Sequence, residues 1–302
     1  MGGSEVKITD VSVIDTDING GSYVGGVIGE NDGIVENSYA TGDVSGYRDV
    51  GGLVGENDGT VKNSYATGNT SGDIHVGGLV GRNRRGGTVE NSYATGNVSG
   101  VAHVGGLVGR NRRDGTVENS YATGNVSGAG NAGGLVGTNM DGGTVENSYA
   151  AGKVSGDWWV GGLVGRNDGM VENSYAMKEL DVENDGEELT GVNDGTLENS
   201  YYISDSFWDI WTGNPTTPEM VSKETFSDAG WDFEETWDMI EGETYPFLQW
   251  QEEDTYTYAP EELPFYIRHQ TLTIGIIIGI TIILIGLGLV LNKKRKLYED
   301  TN

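Results

Sequence analysis

The sequence predicts an all-β repeat solenoid of the β-helix kind, about seven coils long, with a small aromatic cap and one C-terminal transmembrane helix. Three observations predict it. A glycine pair recurs at 25, 51, 77, 105, 133 and 161, and an Asn-Ser-Tyr triplet at 37, 63, 91, 119, 147, 173 and 199, a period of 26 or 28 residues. Each unit holds three short β-prone runs, such as Val-Gly-Gly-Leu-Val, Thr-Val-Glu-Asn-Ser-Tyr-Ala and Asn-Val-Ser, parted by Gly, Asn and Asp, and none shows a helical period. Glycine supplies 51 of 302 residues without a collagen-like repeat and cysteine none, so stacked backbone rather than disulfides must hold the chain together.

Residues 1–19 read as a partial coil or cap. They carry no basic and apolar leader, and the expectation is a chain shortened at its N terminus. Within them, Asp15, Asp17 and Asn19 are spaced like the first half of a calcium loop. The twelfth position is Gly26, where a bidentate glutamate belongs, so an acidic turn is favoured and no cofactor is expected.

Residues 20–201 form the repeat. Stacking at ~4.8 Å per rung turns each position into a column. Leu53, Leu79, Leu107, Leu135 and Leu163 make one apolar column, and Val35, Val61, Val89, Val117, Val145, Val171 and Leu197 another. Read as one continuous strand, the run through the triplet puts Val, Asn and Tyr on one parity, with a buried asparagine ladder beside a tyrosine stack. The glycine pairs and Asn-Asp-Gly turns are expected to supply positive φ at corners. The length variation lies wholly in one turn: Asn83, Asn111 and Asn139 precede their triplets by eight residues, the others by six. A degraded seventh unit, with Glu187 and Glu188 in place of the glycines, closes the array.

The unit, "GGLVG" followed by an asparagine-glycine turn and "VENSYATG", resembles the GLUG motif. The resemblance implies a secreted or surface-attached bacterial or archaeal protein and brings no catalytic residues. Some relatives carry IgA-cleaving metallopeptidases. No His-Glu-x-x-His zinc motif occurs here, so that chemistry is not expected.

Residues 202–250 hold five of the seven tryptophans and read as a cap in which Trp231, Phe233 and Trp237 cover the open end of the last coil, with a helix starting at Thr217, Pro218 and Glu219. Residues 251–269 form an acidic connector. Residues 270–291 are long and apolar enough for a membrane-spanning helix, and the basic 292–302 tail places itself in the cytoplasm with the repeats outside.

Arg82, Arg84, Arg85, Arg110, Arg112 and Arg113 cluster on two neighbouring units and suit an anionic surface polysaccharide, against the alternative of turn residues paired with nearby acids. Asn69, Asn97 and Asn125 stand in Asn-x-Ser sequons and are candidates for glycosylation. His75 and His103 share a column with Asp49, Asn131 and Trp159, read as variable and exposed, too poor in ligands for a metal. A net charge of −28 excludes nucleic acid as a partner, and the column Glu36, Lys62, Glu90, Glu118, Glu146, Glu172, Glu198 points to a salt-rich habitat such as a haloarchaeon's, since adjacent like charges repel by about 0.9 kcal/mol in water. The function expected is non-enzymatic adhesion or cell-envelope display at the membrane. A polysaccharide-acting β-helix enzyme and a passive spacer for a missing N-terminal domain are the alternatives.

Overall fold

A computed structural model describes residues 6–177, 180–182, 189–203 and 220–251. The expected helix start at Thr217, Pro218 and Glu219, the connector and the 270–291 span lie outside these residues. Among the described residues no helix is long and apolar enough to cross a membrane.

Every long-range strand pair in the repeat is parallel and joins one unit to the next in the register that the period predicts. Four sheets run along the resulting solenoid of about seven coils: an eight-stranded Thr-Val-Glu face, an eight-stranded Tyr-Ala face, a ten-stranded Ser-Gly face and a seven-stranded Leu-Val face. The first two gain their extra rung from Lys7–Thr9 and Ser12–Val13. On the Ser-Gly face the earlier coils carry two short strands, as in Val44–Ser45 and Arg48–Gly51, and these fuse into one from Val98–Gly105 onward.

The core is a narrow tube of columns. Leu53, Leu79, Leu107, Leu135 and Leu163 are wholly buried, and so are the valines that follow them. Both can point inward because the chain turns between them: Leu53 N and Val54 N both donate to Leu79 O, at 2.9 and 3.0 Å. The glycine pair before this corner does not supply positive φ, contrary to expectation. It supplies room, because a Cβ on Gly52 would overlap Gly78 O and stand 2.8 Å from Ala66 Cβ. Positive φ falls on Asn37 and its equivalents instead, at 46–50°.

That left-handed asparagine corrects the expected asparagine ladder. It is a corner between the Thr-Val-Glu and Tyr-Ala faces, so parity resets there. Val35, Ser38 and Ala40 point in, and Tyr39 points out. The inward serines are linked rung to rung, with Ser64 Oγ accepting from Ser38 N at 3.1 Å and donating to Lys62 O at 2.8 Å. The buried asparagine ladder is the other one, Asn31 through Asn193: each Nδ2 donates to the next Oδ1 at 2.7–2.9 Å. These amides also hold the turn of variable length. Asn57 Nδ2 bonds Gly59 O in a short turn and Asn83 Nδ2 bonds Gly87 O in a long one. In the long turns two adjacent left-handed residues, Arg85–Gly86 or Asp141–Gly142, carry the insert outward.

The tyrosines do form a file, stacked 4.7–5.1 Å apart from Tyr39 to Tyr175. It lies outside the tube. Residues 220–251 fold along this file rather than over the open end, which corrects the expected placement of Trp231, Phe233 and Trp237. They comprise helix α1 (Lys223–Asp228) and an antiparallel pair, Trp237–Asp238 with Phe247–Leu248. Trp231 packs on Tyr201 and Tyr175, Trp237 on Tyr175 and Tyr149, and Trp250 on Tyr121 and Tyr93, while Phe233 packs on Phe226 within the clasp. Hydrogen bonds fasten this clasp: Tyr175 OH to Pro246 O at 2.5 Å, Gln251 Nε2 to Tyr149 OH at 2.7 Å, and Trp250 Nε1 to Asn119 O at 3.2 Å. Covering is the reason that Tyr121, Tyr149 and Tyr175 are fully buried.

Candidate functional site

Laid in register, the coils differ from one another at few columns. On the Ser-Gly face these are Tyr47/Asp73/Val101/Ala129/Asp157, Arg48/Ile74/Ala102/Gly130/Trp158 and Asp49/His75/His103/Asn131/Trp159. On the adjoining Leu-Val face the variable column is Glu56/Arg82/Arg110/Thr138/Arg166, followed by the turns. Identical neighbours carry the scaffold, so the unlike ones are where selectivity can reside.

Beside these columns runs an open groove of about 540 Å³. Its floor is Gly20, Gly46, Gly72 and Gly100, one wall is Asn19, Ser45, Ser71 and Ser99, and Tyr47 and Asp73 flank the other side. Glycine is required in the floor: a Cβ on Gly46 would lie 2.8 Å from Val24 Cγ2. Tyr47 is 56% exposed, and further along the same face Trp158 is 63% exposed beside side-chain-free Gly130. Arg166 lies over the Trp159 ring at 5.8 Å. Tyr47 and Trp158 were not among the candidates expected from sequence; their signal is that each is the one aromatic in its column.

Of the column expected to be exposed, Asp49, His75 and Asn131 are buried, His103 is half-buried and Trp159 alone is exposed. Asp49, His75 and His103 hold φ of 52–57°, which turns each side chain under the neighbouring arginines. Asp49 and His75 are buried, with Asp49 Oδ1 2.6 Å from His75 Nδ1 and 3.4 Å from Arg82 Nε. His103 Nδ1 lies 2.7 Å from Thr138 Oγ1, and burial above all pushes its pKa down to about 4. A carboxylate-imidazole pair with no exposed edge can orient an arginine but gives a substrate no access.

The six arginines do come together, and acids meet most of them. Arg82 and Arg84 bond Glu56, Arg84 and Arg85 bond Asp58 at 3.0 and 2.8 Å, and Arg112 bonds Asp141 at 3.0 Å. Arg113 is exposed at a left-handed turn. Arg110 has no carboxylate among the described residues.

Asn69, Asn97 and Asn125 form an exposed row, Asn69 Oδ1 and Asn97 Oδ1 each accepting from the backbone N–H of the next rung at 3.1 and 3.0 Å. Asp15, Asp17 and Asn19 do not converge: Asp15 shares a bond with Thr41, and Asn19 Nδ2 is spent on Ser45 Oγ at 2.9 Å. No group of three metal-capable side chains occurs among the described residues.

The glutamate column is in register from Glu36 to Glu198, with Lys62 held 3.0 Å from Glu36. Burial, and then a hydrogen bond and repulsion from Glu146, push Glu118 from an ordinary 4.5 up to about 7. The folded protein therefore binds this proton more tightly than the unfolded chain, and its stabilising share is full below about 4.5 and lost as pH rises through about 7. Glu118→Gln should match the parent near pH 4.5 and exceed it at pH 8 by about 1 kcal/mol, the shift being discounted for solvent screening. Urea unfolding at the two pH values measures this; an equal effect at both would refute it.

The family model described as the GLUG motif matches residues 20–45, 46–71, 72–99, 100–127 and 128–155. No curated protein matches the chain. A solved structure called a putative immunoglobulin A1 protease from Bacteroides ovatus is similar over 80% of this chain and 76% of its own, at 22% identity and a TM-score of 0.45.

Proposed function

Because five consecutive motifs make this a GLUG-repeat protein, we propose that it is a non-enzymatic adhesive rod, displayed outside the cell by the 270–291 span, that binds a repetitive surface polysaccharide along the Ser-Gly face. The observation that carries this reading is the glycine-floored groove with its serine wall, flanked by exposed Tyr47 and continued by Trp158. A serine recurs at the five rungs from Ser45 to Ser155, ~4.8 Å apart, close to the advance of a sugar ring in an extended glycan, so one chain meets hydroxyls in register. Pyranose faces stack on aromatic rings, and many weak contacts in series give avidity. The burial of Asp49 and His75 speaks for adhesion over catalysis.

Cells producing the full chain should retain an extended β-linked glycan, and external protease should release that capacity. Replacing Trp158 and Trp159 by alanine should lower retention at least tenfold, since stacking contributes about 1–1.5 kcal/mol per ring. Unchanged retention by the double variant would sink the reading.

A further inference from the structure

The Leu-Val face carries an arginine, Arg110, that forms no ion pair with a carboxylate among the described residues. In the column Glu56, Arg82, Arg110, Thr138, the first pair is an ion pair and the next rung is a hydroxyl. Arg110 thus lies against Arg82 on one side and neutral Thr138 on the other. Its Nη1 stands 3.3 Å from His75 Nε2. Since His75 Nδ1 faces the Asp49 carboxylate at 2.6 Å, the tautomer that satisfies both contacts carries its proton on Nδ1 and accepts from Arg110. Among the described residues Arg110 Nη2 meets only the weak acceptor Met140 Sδ, at 3.0 Å. Arg110 Nε is buried without an acceptor, and so is Nε of Arg112 on the same strand. Burial and then Arg112 push the Arg110 pKa down, partly offset by the charge of Asp141.

The Asp49–His75 pair therefore fixes one edge of the guanidinium, and its other donors reach no carboxylate among the described residues. Guanidinium forks match planar or tetrahedral oxyanions, and a partly buried cation gains most from such a partner. Resting on the adhesive reading, we infer that Arg110 is the receptor for the carboxylate or sulfate group of an acidic polysaccharide. His75 acts as a positioning residue. Arg82, Arg84 and Arg85, already paired with acids, are not the binding determinants.

The test uses the full chain in detergent, with hexuronate, sulfated and neutral oligomers of one length, and sodium sulfate against sodium chloride at equal ionic strength. Acidic oligomers should bind at least tenfold tighter than the neutral one, and sulfate should raise the melting temperature more than chloride does. Arg110→Gln should erase both differences while keeping neutral binding, and Arg113→Gln should leave both intact. A preference that survives Arg110→Gln overturns the assignment, as does neutral binding with no acidic preference. Protection by inorganic sulfate alone makes the ligand a free oxyanion and overturns the glycan. Failure of every oligomer, the neutral one included, sinks the adhesive reading itself.

Discussion

Replacing Gly106 by valine should break the solenoid into two independently melting blocks. A Cβ at Gly106 would overlap Gly134 O of the next coil and stand 2.9 Å from Ala122 Cβ across the tube. The obstructing atom is backbone of a residue whose N–H is bonded to Gly161 O at 3.3 Å, so relaxation must unpair a rung. The loss should be roughly 5 kcal/mol, above the ~1–3 kcal/mol of ordinary overpacking. A linear stack is only as cooperative as its weakest interface. Calorimetry should therefore show two transitions where the parent shows one, the upper belonging to the coils under the clasp. A single transition within a few degrees of the parent would contradict the close-approach role assigned to the glycine pair.

Tyr149→Ala should destabilise by about 4 kcal/mol, the second large effect. The ring is wholly buried between Tyr121 and Tyr175 at 5.1 and 5.0 Å and under Trp237, and its hydroxyl accepts from Gln251 Nε2 at 2.7 Å. Removing it opens a cavity, deletes two stacking contacts and strips Gln251 of that acceptor. Tyr39→Ala, at the uncovered end of the same file, should lose under about 1.5 kcal/mol. Urea midpoints of the two variants compare them directly. Equal losses would mean that the clasp adds nothing to the tyrosines it covers.

What could be read in advance follows a physical line. Columns set by period alone were legible: Leu53 through Leu163, Val35 through Val171, the tyrosine file and the glutamate column all stack as the spacing requires. Faces were less so, because parity holds only within a strand, and one left-handed residue at Asn37 exchanges which asparagine is buried. The glycine pair was rightly marked as special but for the wrong cause, since a torsional requirement and a steric one leave the same letter in the sequence. The clasp was misplaced because tryptophans announce burial without saying against what; its bonds reach back as far as Asn119. At the candidate site, the arginine cluster was visible by number, but which cation lacks an acid depends on a turn that carries Asp58 to Arg84 and Arg85 and brings no carboxylate to Arg110.

The buried asparagine ladder has an electrical consequence. In parallel sheets peptide groups point alternately up and down the axis and nearly cancel, whereas these side-chain amides all donate the same way, from Asn31 toward Asn193. Their moments add over six links in a medium of low permittivity. The solenoid is thereby a directed object with unlike ends, the amide-hydrogen pole toward Asn193 and the carbonyl pole toward Asn31. Two copies meeting end on would match head to tail, and would oppose like poles in any mirror-fashion encounter.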